Sequence, residues 1–116
     1  MSLESDLYTV LAAVQPAVYP DVAPPGAAVP YITWQQVGGD VVRPVDGLPD
    51  KRNAVVQINC WAATRDQANA MALAVEAALV AATVFQARPV AAFMAAFDDD
   101  VELRGAMQDF SIWAAR

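Results

Sequence analysis

The stretch from Arg52 to Ala82, RNAVVQINCWAATRDQANAMALAVEAALVAA, constrains the fold more than any other part of the chain. It reads as a strand, a tight turn and a long helix. From Ala54 to Ala63 the residues are β-branched and aromatic between polar flanks, which favours a strand. Thr64 stands where a helix N-cap belongs. Its hydroxyl can accept an orphan backbone N–H, and Gln67, three residues on, can reach back to complete a capping box. Beyond it Ala68, Met71, Ala72, Val75, Ala78, Leu79 and Ala82 recur at helical spacing and form one apolar stripe.

The flanking segments supply further elements. Ser2 to Val14 predicts a short helix. Ser2 is its N-cap, Glu4 and Asp6 suit the positive end of its dipole, and Leu3, Leu7, Val10, Leu11 and Val14 share one face. Pro16 stops it. Ala17 to Val22 predicts a short strand, and residues 23–30, with three prolines and a glycine, a loop. Tyr31 to Val37 reads as a strand broken by Gly38-Gly39-Asp40. Val90 to Phe97 is a candidate strand, although its alanines favour a helix. Asp98 to Gly105 reads as a turn and Met107 to Ala114 as the last strand. The expected order is α-β-β-β-α-β-β in a single domain over residues 1–116.

Between the second and third strands lies the least regular segment, residues 38–53. It carries two prolines, three glycines and the turn pairs Asp46-Gly47 and Pro49-Asp50. Asp40, Asp46 and Asp50 balance Arg43, Lys51 and Arg52. A connection this long is often functional. Two readings stay open: a solvated hairpin tip, or an arm that orders on a partner.

Strand parity separates two sheet faces. Val56, Ile58, Cys60 and Ala62 fall on the face that should carry the helices. Val55, Gln57, Asn59 and Trp61 fall on the other, as do Asp109, Ser111 and Trp113 of the last strand. Large aromatics among polar residues on an uncovered face suit a protein–protein contact. The competing reading is that a loop, or the 38–53 arm, covers them.

Composition limits the chemistry. There is no histidine, so neither a Ser-His-Asp arrangement nor a histidine-containing metal site can be built. The single cysteine, Cys60, forms no intrachain disulfide and is expected to pack in the core. No phosphate-cradling glycine motif occurs. Asp98, Asp99, Asp100 and Glu102 lack interleaved EF-hand spacing and read as a solvated turn. Thirteen acids against seven bases, a net charge of −6, argue against a phosphate-binding surface. No apolar run reaches the ~20 residues of a membrane helix. The acidic start lacks a signal-peptide n-region, so a cytosolic origin is expected. The expectation is a protein without enzymatic activity or cofactor, with no membrane partner and no specific nucleic-acid binding.

Taken together, LYTVLAAV (Leu7–Val14), VYPDVAP (Val18–Pro24), PYITWQQVGG (Pro30–Gly39), Val56 to Leu79 and QDFSIWA (Gln108–Ala114) resemble the small tail-completion, or tail-terminator, proteins of long-tailed phages and prophages. The alanine-rich segment Val90–Gly105 departs from that pattern. The resemblance implies an α/β (α+β) fold: a mixed, mostly antiparallel β-sheet with two helices packed on one face. It implies a structural protein that caps the tail tube as a ring, commonly of six copies, and offers a joining surface to the head connector. The partners would be other copies of the chain, the tail tube protein and the head connector protein. The location would be the host cytoplasm during assembly and then the head-proximal end of the virion tail. A small dimeric interaction module is the alternative. Interface candidates are Trp61, Trp113, Asn59 and Gln57 on the open sheet face, with Asp40, Arg43, Asp46, Lys51 and Arg52 of the arm.

Overall fold

The computed structural model describes residues 2–40, 51–98 and 102–115. Two helices and six strands follow in the order α1 (Leu3–Val14), β1 (Val18–Pro20), β2 (Tyr31–Gly38), β3 (Lys51–Ala62), α2 (Arg65–Ala81), β4 (Gln86–Pro89), β5 (Met94–Asp98) and β6 (Leu103–Ala115). The fold class and element sequence are those expected, with one further short strand, β4, ahead of the last pair.

Ser2 and Thr64 cap the two helices as expected, but the reciprocal box forms at Ser2 and not at Thr64, where only the hydroxyl-to-amide half is present. The Ser2 hydroxyl accepts from the Ser5 amide at 3.1 Å, and Ser5, not an acidic residue, returns the bond to the Ser2 amide at 3.2 Å. In α2 the Thr64 hydroxyl accepts from the Gln67 amide at 3.2 Å. Removing that acceptor orphans an N–H at the helix end. Thr64→Ala is therefore expected to lower stability by about 1 kcal/mol, read as a shifted denaturant midpoint. An unchanged midpoint would mean the cap carries no energy.

The sheet runs β1-β2-β3-β6-β4, and β5 pairs with β6 beyond β4 along the same edge. Only β1 and β2 are parallel, so the sheet is mixed and mostly antiparallel. Long pairing between β3 and β6 forms its centre, from Lys51↔Ala115 to Ala62↔Arg104. Both strands run longer than their apolar cores suggest, because polar ends pair as readily as apolar ones in a ladder whose bonds are made by backbone.

The two helices lie on one face. Val56, Ile58, Cys60 and Ala62 of β3 are buried there, as are Ala106, Phe110, Ile112 and Ala114 of β6. Leu3, Leu7 and Leu11 of α1 and Ala68, Met71, Ala72, Val75 and Leu79 of α2 are buried with them. Burial pushes the Cys60 thiol up to about 12, so at neutral pH it is a packing group with almost no thiolate.

Polar side chains anchor the edges. Arg65, in the first turn of α2, donates to the Gly105 carbonyl at 2.6 Å and the Ala96 carbonyl at 2.8 Å, tying α2 to β6 and β5. Gln108 is buried on the helix side and donates to Glu76 Oε1 at 2.8 Å and the Ala91 carbonyl at 2.7 Å. These bonds link α2, β6 and the β4–β5 connection. They satisfy a polar group that would otherwise cost about 1–3 kcal/mol in the interior.

Candidate assembly surface

The face opposite the helices is set by the same strand parity. The β2–β3–β6 register lays out cross-strand rows: Tyr31, Trp61 and Gly105; Thr33, Asn59 and Met107; Gln35, Gln57 and Asp109. Among the described residues no helix covers these rows. The proline-rich loop after β1 does overhang one end of them. Together they bound a groove of about 810 Å³, lined on the sheet side by Tyr31, Thr33, Asn59, Trp61 and Leu103 and on the loop side by residues 21–29.

The groove floor is well fixed. Trp61 is half-buried, and its indole lies close against Gly105: a Cβ built there would meet two ring carbons at 2.8 Å. A glycine at this position is what lets the ring settle on the strand. Tyr31 meets Tyr19 edge to face, with centroids 6.0 Å apart. Asn59 is half-buried and donates to Thr33 Oγ1 at 3.4 Å, while its Oδ1 is enclosed with no hydrogen-bond partner among the described residues.

Trp113 stands at the other end of the face. It is 38% exposed, between Asn53 of β3 and Gln86 of β4 in the ladder. Trp61 pairs with Gly105, eight positions along β6 from Trp113, or roughly 26 Å at ~3.3 Å per residue. The two tryptophans share a face and do not form one patch. Gln57 is half-buried midway between them.

The arm candidates divide. Arg43 and Asp46 lie outside the described residues. Asp40 is exposed, and its amide donates to Asn53 Oδ1 at 2.9 Å. Asn53, itself buried, also donates to Ser111 Oγ at 3.1 Å and the Ile112 carbonyl at 3.2 Å. One buried amide thus ties the segment after β2 to the central pair. Lys51 is exposed at the start of β3. Arg52 is engaged within the chain. It forms an ion pair with Glu4 of α1 at 2.9 Å and donates to Gln36 at 2.8 Å. The Arg52 guanidinium holds the Glu4 carboxyl below the usual glutamate range. Both partners keep solvent contact, so the pair adds little stability.

Some further surface features are not legible as surface in the sequence. Leu73 and Val80 project outward from α2, and Val84, Val90 and Met94 are exposed along the β4–β5 edge. The one signal for them is the near-absence of charge in α2 beyond Asp66, where Glu76 is the single charged residue. Among the described residues no cluster of three or more histidine, cysteine, aspartate or glutamate side chains could hold a metal ion.

An open sheet face with two unlike edges is the geometry on which the family comparison bears. The model for tail completion protein gp17 matches residues 5–115. The chain belongs to the tail completion protein gp17 family. Membership gives it a structural part in phage tail assembly. No curated protein sequence matches it. Among solved structures, a chain in the virion of a native gene transfer agent particle shares the fold. Its TM-score is 0.68 at 23% identity, covering 99% of this chain and 96% of that one.

Proposed function

We propose that this tail completion protein closes the finished tail tube as a ring of identical copies and gives the head connector its joining surface. Its place is the head-proximal end of the tail, reached after assembly in the host cytoplasm. The role is structural, without catalysis, in keeping with a sequence that has no histidine. The observation carrying this reading is the family match over residues 5–115, set on a sheet with one face free of helices and two unlike lateral edges. A ring needs two different patches on each copy that meet head to tail and close. A sheet edged by β1 on one side and by β4 and β5 on the other supplies two.

The test is a phage or prophage lacking the gene, with its tails viewed by electron microscopy. Expected are tails that fail to join heads, with tubes of uneven length, and rescue by the intact chain. Head-joined tails of normal length without the protein would overturn the proposal. A strict dimer in solution that binds neither tube nor connector would favour the interaction-module reading.

A further inference from the structure

Three of the described arginines are engaged within the chain. Arg52 pairs with Glu4, Arg65 holds the Gly105 and Ala96 carbonyls, and Arg104 lies over the Phe97 ring, 4.1 Å from its centroid. Arg88 is different. It is exposed on β4, an edge strand, and has no hydrogen-bond, ion-pair or ring partner among the described residues. It pairs across the ladder with Ser111, which places it on the open-face side. Val90, two residues on, is 59% exposed.

The opposite edge carries the complement. Asp21 follows β1, where its amide donates to the Trp34 carbonyl at 2.8 Å, and its carboxylate is exposed with no partner among the described residues. Its neighbour Val22 is 77% exposed. Asp21 also lines the groove, whose described lining includes one acid, no base and the rings of Tyr31 and Trp61. A guanidinium entering such a groove meets a carboxylate and two aromatic faces, all favourable to a planar cation.

The register sets the two edges at similar heights. Asp21 follows Pro20, which pairs with Trp34, so it lies level with Gln35, Gln57 and Asp109. Arg88 lies level with Ser111, two positions along β6, an offset of roughly 7 Å. The two charges are thus on the same face, on opposite lateral edges, and nearly in line. A second copy placed beside the first by translation and a small rotation brings them together. Identical chains of net charge −6 repel one another, so a stable contact needs a cation of one copy placed on an anion of the next.

We propose that the Asp21 groove of one copy receives the Arg88 edge of a second copy, with Val90 and Val22 packed beside the ion pair. This rests on the ring reading above and names its contact. The contact is heterologous, so each copy offers Asp21 to one neighbour and Arg88 to the other.

The test is charge exchange, followed by sedimentation velocity over a concentration series and by co-sedimentation with tail tubes. Arg88→Asp and Asp21→Lys, each alone, are expected to weaken self-association at least tenfold. Circular dichroism should stay unchanged, because both side chains are exposed. Mixing the two variants should restore assembly. In the mixture the aspartate introduced on β4 of one variant faces the lysine introduced in the groove of the other. The remaining contacts join the native Arg88 to the native Asp21. Arg88→Gln should give an intermediate loss, and mixing it with Asp21→Lys should restore assembly less fully than Arg88→Asp does, because glutamine meets lysine at half of the contacts. If the wild type assembles and both single variants assemble equally well, the contact is refuted while the ring reading stands. If the wild type stays monomeric in solution and on tubes, both fail together.

Discussion

Phe110→Ala is expected to cost about 3–5 kcal/mol, the largest loss of any single truncation among the described residues. Phe110 is the bulkiest fully buried side chain among the described residues, with no solvent exposure. It sits at the middle of β6, between Val56 of β3 and Pro89 of β4. Its neighbours are backbone-locked strand residues on two sides, with the helices above, so the cavity cannot readily collapse. Domains of this size are stable by only ~5–15 kcal/mol, and the variant would lose a fifth or more of that. Urea denaturation followed by circular dichroism measures it. A loss under about 1 kcal/mol would mean that the helices do not pack on this strand as described.

The inward side of Phe110 is legible in the sequence, and the reason is physical. Alternation in β3 and β6 and the 3.6-residue stripe of α2 are local consequences of burying one side of an element. They fix which side faces inward without knowledge of the neighbour. Val56, Ile58, Cys60 and Phe110 therefore fall on the helix-covered face, and Thr64 marks a helix start. What stays hidden depends on pairing between distant segments. β4 is only four residues, Gln86–Pro89, too short for a period to show. Sequence proximity groups Arg52 with the arm, but its ion-pair partner is Glu4 in the first helix. Parity groups Trp61 with Trp113, because it gives the face and not the position along it. Only the register separates them. The covering of Trp61 by residues 21–29 comes from loop geometry, for which the prolines announce irregular structure but no direction. Arg88 as an unengaged cation emerges only after the partners of the other described arginines are known.

Gly105→Val tests the floor of the groove and should have the second large effect. Two terms oppose each other. Replacing a strand glycine gains about 0.5–1 kcal/mol of backbone entropy and β propensity. Against this, a Cβ at Gly105 meets Trp61 ring carbons at 2.8 Å, and overpacking of this kind costs about 1–3 kcal/mol. The indole cannot slide freely, because Tyr31 occupies the adjoining ladder position. The second term therefore wins, and a net loss of about 1–2 kcal/mol is expected. Removing the ring should remove the clash: in a Trp61→Ala background the valine should be neutral or stabilising. The double-mutant cycle therefore predicts a coupling of at least ~1 kcal/mol. Additive single effects would show that the indole does not rest on Gly105. Because Trp61 lines the receiving groove, Gly105→Val should also weaken assembly by more than its stability loss explains, while Phe110→Ala, on the opposite face of the sheet, should weaken it only in proportion to unfolding.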